Sequence, residues 1–338
     1  MRWLLVTGDL APAFTGGVAS WVEDLARALV EAGHSVTVLG RGPGDRAWDA
    51  AQPFAVRRIP ARSWQRWQAF WVEAWGRGLL GRADALVFST WELATRLAPL
   101  ALPRIPVGIA FHGSDLTRLS AAPPGFQRAV QGATLLPVSA FLSRELVRLG
   151  AAPGRVLPMP LRVPDLPAQP RQGLLCVARL TPLKGVDRAI RLAQALGEPL
   201  TVIGEGPELP ALQALAGPET RFLGRQRREQ TLEWMSRSAA TLLLSRADAD
   251  GSGAEGLGLT LIEASSLGCR AIASPTGGLP EAVGPGLVLE DPDRPDLAAV
   301  RAFLADPDAP SRARAWARTR HGPEACLAVL LEAIDSRS

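Results

Sequence analysis

Lys184 is the only lysine in a chain of 338 residues; the other 36 basic positions are arginine, and tyrosine and asparagine are absent. Such a composition reads as drift in a GC-rich genome, in which any cation that tolerates either side chain becomes arginine. Lysine carries a compact ammonium on a flexible stem, whereas arginine presents a wider planar fork, so a narrow phosphate-sized pocket accepts the first and rejects the second. The segment Arg179-Leu-Thr-Pro-Leu-Lys184-Gly185 follows an apolar run and precedes a helical pattern, where phosphate sites tend to form. The alternative is a lysine left by chance on a solvated loop. Further along, Ala254-Glu255-Gly-Leu-Gly-Leu-Thr-Leu-Ile-Glu263-Ala264 places two carboxylates eight positions apart. A carboxylate can accept from both hydroxyls of a vicinal diol, so one glutamate suits a ribose and the other a hexose. Gly256, Leu257 and Gly258 form a small-residue entry to a helix whose free N–H groups suit a pyrophosphate. By spacing alone, the pair is equally compatible with a solvated helix face.

These groups must be held by regular elements. Apolar runs of four to six residues alternate with helix-period segments throughout, which predicts βαβ units and parallel sheets. The first unit is strand Trp3 to Thr7, a loop with Gly16 and Gly17, a helix with apolar Val18, Trp21, Val22, Leu25 and Leu29 on one face, and strand Ser35 to Leu39. Further strands are expected at Ala85 to Ser89, Val107 to Phe111 and Thr134 to Val138. A proline-rich stretch, Pro158 to Gly173, marks a boundary, after which the rhythm restarts. Strands follow at Leu174 to Ala178, Leu200 to Ile203, Arg221 to Leu223, Thr241 to Leu244, Arg270 to Ala273 and Leu287 to Leu289. Ser311 to Ile334 reads as one helix. The expected organisation is an N-terminal domain over 1–165, a second over 173–310, and a C-terminal helix in 311–338 packing back toward the first. Two doubly wound domains facing each other leave a cleft at the carboxyl ends of both sheets, where ligands bind.

Composition narrows the class. Hydrophobic residues at 47% and charged residues at 21% describe a globular enzyme. The N-terminal segment, Met1-Arg-Trp-Leu-Leu-Val-Thr7, lacks an apolar signal core and leads us to expect a cytoplasmic protein. No apolar stretch approaches the roughly 20 residues that cross a bilayer. Cys176, Cys269 and Cys326 are scattered without metal-ligand spacing, and three histidines add no cage, so neither structural disulfides nor structural zinc are expected. The net charge of +4 fits anionic small molecules or a lipid surface better than nucleic acid.

Five motifs in the second half follow one another in order: Cys176 to Asp187, Val202 to Glu208, Phe222 to Gly224, Glu255 to Glu263, and Gly277-Gly278-Leu-Pro-Glu281. The first half adds Thr15-Gly16-Gly17-Val18, Gly33-His34, Ala83-Asp84, Phe111-His112-Gly113-Ser114-Asp115 and Pro137-Val-Ser139. Together these resemble the retaining GT-B glycosyltransferases of family 4, over most of the chain, with wording closest to bacterial enzymes that glycosylate polysaccharide or phosphoinositol-type lipid acceptors. The resemblance implies a GT-B fold, α/β with two doubly wound Rossmann-like domains facing each other across a cleft. It implies that Arg179 and Lys184 clamp the donor pyrophosphate in place of a metal. Glu263 would accept from the ribose hydroxyls, Glu255 and the backbone of Gly256, Leu257 and Gly258 would meet the sugar and phosphates, Gly16 and Gly17 would admit phosphates or acceptor, and His112 would lie near the reacting sugar. The implied function is metal-independent transfer of a hexose-type sugar from a UDP- or GDP-linked donor to a hydroxyl of a glycan or glycolipid, with no cofactor and no nucleic-acid partner. An idle GT-B binding subunit and a GT-B sugar-nucleotide epimerase are the alternatives.

Three further patterns are weighed against this reading. Asp248-Ala-Asp250 matches a metal-binding DxD, but sits in a Gly/Ser/Ala-rich loop. Gly204-Glu-Gly206-Pro-Glu-Leu209 lacks the third glycine of a dinucleotide loop. The segment Arg62 to Arg82 carries Trp64, Trp67, Trp71, Trp75 and Leu79 on one stripe with Arg62, Arg66, Arg77 and Arg82 around it. It is expected to pack on the N-terminal sheet, the alternative being an interfacial helix on anionic lipid at the inner membrane face.

Overall fold

The computed structural model describes residues 1–14, 16–59, 64–167, 169–247 and 253–335, with the backbone alone over 64–68. Thr15, Arg62, Asp248 and Asp250, and the side chains of Trp64, Arg66 and Trp67, lie outside the described residues, and with them the DxD pattern and half of the tryptophan stripe. The chain forms two compact units, Met1–Arg162 with Gly322–Ser338, and Val163–His321.

The first unit is built on a six-stranded parallel sheet of β1 (Arg2–Thr7), β2 (Ser35–Arg41), β3 (Ala55–Ile59), β4 (Ala85–Phe88), β5 (Val107–Phe111) and β6 (Thr134–Pro137), in the order β3-β2-β1-β4-β5-β6. Apart from exposed Arg2 at the start of β1, its central strands are buried along their length, because helices cover both faces of a parallel sheet and leave no polar side. The helix Gly17–Glu31 buries Trp21, Val22, Leu25 and Leu29, the face its periodicity predicted. β3 was not anticipated: Ala55-Val-Arg-Arg-Ile59 is an edge strand, and its two arginines interrupt the apolar run that marks the others.

The second unit repeats the plan with β7 (Leu174–Val177), β8 (Leu200–Ile203), β9 (Thr220–Phe222), β10 (Ala240–Leu243), β11 (Arg270–Ala273) and β12 (Leu287–Val288), in the order β12-β11-β10-β7-β8-β9. Each sheet reverses direction of winding once, between β1 and β4 in the first and between β7 and β10 in the second. The loops leaving those two neighbours part to opposite faces, which opens a crevice at their carboxyl ends.

Two expectations need correction. The single C-terminal helix is two, Ala309–His321 and Pro323–Asp335, parted at Gly322-Pro323, where proline cannot donate into a continuing helix. The first stays with the second unit, while the second buries Cys326, Leu330 and Ile334 in the first unit and packs on Gly17–Glu31. The helix Trp64–Leu80 packs on β1, β2 and β3 as expected, but the described part of its tryptophan stripe is not wholly inward. Its packed line runs through Val72 and Gly76, where Leu97 Cδ2 occupies the space a Cβ would need, so Trp75 is turned out to 43% exposure and Phe70 to 45%. Among the described residues no helix is long and apolar enough to cross a membrane.

Candidate functional site

In the second unit the chain leaves β7 through exposed Arg179 and makes a short 3-10 helix, Pro182–Lys184. Gly185 ends it at φ +61, and no other residue fits there: a Cβ would lie 1.9 Å from the carbonyl oxygen of Leu244. That contact joins the turn after β7 to the segment after β10, its neighbour in the sheet. The joint is reinforced by the Arg246 N–H, which donates to Leu183 O at 2.7 Å, and by the Arg246 guanidinium, which donates to both Asp187 oxygens at 2.7 and 2.8 Å. Although partial burial pushes the Asp187 carboxyl up, hydrogen bonds from Arg246 and Arg191 outweigh it and hold the group down at about 2.

The glycines of Gly204-Glu-Gly206 are explained by the same turn. A Cβ at Gly204, φ +142, would meet Ala178 O at 1.8 Å, and one at Gly206 would meet Leu180 O at 2.2 Å. Leu180 N–H donates to Glu205 O at 2.9 Å. These glycines let two loop backbones touch; they are packing devices for the Arg179–Lys184 segment.

The Glu255 segment is seated in a similar way. Gly278 N–H donates to Glu255 O at 2.8 Å, and Cβ atoms at Gly277 and Gly278 would strike Glu255 O and Gly256 O, each at 2.2 Å. Leu257 is buried at 5% exposure, so its backbone alone can face a ligand. Gly258 takes φ +99 and starts the helix Leu259–Ser266, whose first turn has neither a side-chain cap nor an acidic residue. Leu261 N–H donates to Gly258 O at 3.0 Å, and among the described residues no side chain caps the N–H groups ahead of it, an arrangement that suits an anion. Lys184 Nζ donates to Glu255 Oε1, which also accepts from Ser245 Oγ at 3.2 Å. The structure thus brings together Lys184, from after β7, and Glu255, from after β10, at the strand pair where the winding reverses. Arg179 lies on the same turn as Lys184, and among the described residues its side chain makes no ion pair.

Glu263, on the second turn of its helix, is buried at 9% exposure. Its Oε1 accepts from Arg228 Nε at 3.0 Å. Burial pushes the Glu263 carboxyl up, and the charge and hydrogen bond of Arg228 offset only part of that rise. Arg228 was not among the residues singled out from sequence. The available signal was indirect: a carboxylate buried at a helix start requires a cation, but nothing in the run Arg225 to Arg228 says which one.

In the first unit Gly16 (φ +146) caps the helix Gly17–Glu31, both glycines are exposed, and a Cβ at Gly16 would meet nothing within 4 Å. One turn on, the Trp21 ring stands edge-on to His112 at 4.7 Å between centroids. His112 follows β5 directly. Burial pushes its imidazole down to about 4, so it is neutral at physiological pH, and among the described residues its buried Nε2 has no hydrogen-bond partner. Asp115 Oδ1 accepts from Gly113 N at 2.7 Å and His112 N at 3.2 Å, which fixes the loop that carries the histidine. Burial, helped by the charge of Glu92, pushes the Asp115 carboxyl up to about 7 against those two donors. Sequence reasoning quoted Asp115 only as part of a motif and passed over Glu92.

Residues 165–320 match the family described as glycosyl transferases group 1, and residues 15–161 match glycosyltransferase family 4. The chain is 28% identical to glycogen synthase from Mycobacterium tuberculosis, over 95% of this chain and 90% of that protein. It is 28% identical to a GDP-mannose-dependent alpha-(1-6)-phosphatidylinositol monomannoside mannosyltransferase from the same organism, over 83% and 82%. Its fold superposes on HepE of Anabaena, solved in complex with UDP and glucose, with a TM-score of 0.74 at 15% identity, covering 99% of this chain and 100% of that one.

Proposed function

The chain belongs to the GT-B glycosyltransferases of family 4, and from that membership we propose that it moves a hexose-type sugar from a UDP- or GDP-linked donor to a hydroxyl of a glycan or glycolipid, with retention at the anomeric carbon. The observation that carries the reading is the pairing of Lys184 with Glu255 at the β7/β10 reversal, beside a helix start stripped of caps and acids. A cation, an acceptor carboxylate and free backbone donors converge there, as a sugar diphosphate requires. The relatives support the substrate class: one is named for GDP-mannose and a phosphatidylinositol acceptor, and HepE was crystallised with UDP and glucose.

In this reading Arg179 and Lys184 neutralise the diphosphate as it departs, supplying the positive charge that other transferases draw from a metal. The bond from C1 to the phosphate oxygen breaks while the acceptor oxygen bonds C1 on the same face. The acceptor proton passes to the leaving phosphate, so no carboxylate nucleophile is needed. Glu263 accepts from the ribose hydroxyls, and Glu255 with the backbone of Gly256 to Gly258 meets the sugar and phosphates. Gly16 and Gly17 present a helix start without side chains, and His112 offers a neutral imidazole to the sugar. Phe70 and Trp75, exposed beside Arg77, suit peripheral contact with an anionic membrane.

The test is a thermal-shift panel of nucleotides and nucleotide sugars in EDTA, on the wild type and Lys184→Ala. A ligand of the native state raises the melting temperature by mass action. A shift with UDP- or GDP-sugars that vanishes in the variant is expected; no shift with any of them would transfer support to an idle scaffold.

A further inference from the structure

A carboxylate that accepts from both hydroxyls of a diol must be ionised, since a protonated carboxyl gives up part of its acceptor capacity. Glu263 stands where ionisation is disfavoured, buried on the helix Leu259–Ser266. Among the described residues the neighbouring cations have other partners: Arg314 donates to Leu267 O, Arg312 pairs with Asp306, Arg318 with Asp165, Arg270 of β11 donates to Phe303 O and Asp306 O, Arg237 stacks on Trp234 and His321 stands edge-on to Trp316. Glu229 and Glu233, on the helix Arg228–Arg237, and Glu281 bring only negative charge. Arg228, the first residue of its helix, reaches Glu263 Oε1 through Nε at 3.0 Å and takes up one oxygen edge.

We propose that Arg228 is a positioning residue for nucleotide recognition, holding Glu263 ionised and oriented so that it accepts from the vicinal diol of the donor's ribose. The proposal rests on the donor reading of the second unit and adds to it a residue outside the motifs. Arg228 acts through Glu263, so its loss should appear as a change in how binding depends on pH. Without the guanidinium, burial pushes the Glu263 carboxyl further up, so the protonated form gains on the acid side and gives way as pH rises.

The experiment is calorimetric binding of UDP and GDP, and of their 2′-deoxy counterparts, to the wild type, Arg228→Gln and Arg228→Lys from pH 6 to 9. Affinities are compared as variant-to-wild-type ratios at each pH, which cancels the nucleotide's own titration. For Arg228→Gln we expect a loss of about tenfold at pH 6.5, the scale of a hydrogen bond to a charged group, shrinking as pH rises, with ribose-over-deoxyribose preference lost on the acid side. Arg228→Lys, which keeps the charge, should flatten the ratio again. A ratio near one throughout, or an equal loss at every pH with preference for ribose intact, would overturn the proposal. Carbon NMR titration of the Glu263 carboxyl in the wild type tests it without any variant that must fold: the group must be ionised at pH 7, and a neutral Glu263 beside Arg228 ends the idea. A wild type that binds neither nucleotide at any pH would instead sink the donor reading itself.

Discussion

The one lysine of this chain is spent on Glu255, a residue 71 positions away, with the Lys184 side chain at 20% exposure and the Glu255 side chain at 17%. A half-enclosed ammonium facing a carboxylate and the Ser245 hydroxyl leaves little room for a guanidinium, which is wider and holds its donors in a plane.

Lys184→Arg should therefore lower kcat/KM for the donor by about two orders of magnitude, the range seen when a group aimed at developing charge is removed. Steady-state kinetics on purified variants decides the matter. Turnover close to wild type would show that arginine is an equivalent cation here and would undo the argument from composition.

Glu263→Ala should weaken nucleotide binding by about tenfold or more, because the ribose hydroxyls lose a charged acceptor. The variant also removes a partner of Arg228, so its fold should be checked by circular dichroism alongside titration with UDP and GDP. Unchanged affinity in a folded variant would reassign the residue to a structural ion pair.

The His112 loop predicts a pH signature. Asp115, at about 7 when folded against an ordinary 3.8, adds stability that is complete below about 3.8 and is lost as pH rises through 7. His112, at about 4 against an ordinary 6.5, does the reverse: its contribution is complete above about 6.5 and is lost as pH falls through 4. Between pH 4 and 6.5 the two slopes oppose each other. Asp115→Asn keeps an acceptor for Gly113 N and deletes one slope, so the variant should lose stability on acidification more steeply than the wild type. Denaturant midpoints from pH 4 to 7 measure this, and parallel profiles would mean that Asp115 takes up no proton.

Gly204→Ala should destabilise the second unit by about 2 kcal/mol or more, since the new Cβ would meet Ala178 O at 1.8 Å in a backbone region that side chains avoid. Gly78→Ala, in the helix Trp64–Leu80 with open space around it, is the contrast and should be neutral or stabilising by up to about 1 kcal/mol. Melting curves of both variants, compared with the wild type, test whether Gly204 is there for the backbone approach.

What could be read in advance follows from the physics of each element. Central parallel strands are buried on both sides, so β1, β5, β8 and β11 appear as apolar runs and were located to within a residue or so. The edge strand β3 carries Arg57 and Arg58 and escaped, because only its partner β2 defines it. The C-terminal break escaped because apolar spacing continues on both sides of Gly322. Lys184, Glu255 and Glu263 were legible as residue types in recognisable settings. Which cation each carboxylate would meet was not, since the sequence offers Glu263 several arginines and only the fold selects Arg228.

The chain passes from the first unit to the second after Arg162 and returns at Gly322. Thr134 Oγ1 of β6 donates to Ala333 O at 3.4 Å, and Ile334 Cδ1 lies within 3.6 Å of where a Cβ on Gly108 of β5 would stand. On the ribosome, the second unit therefore has all its residues in hand while the first still waits for its closing helix. A nascent chain stopped at His321 would leave apolar surface of the first unit open to chaperones and proteases, although none of the proposed catalytic residues is missing.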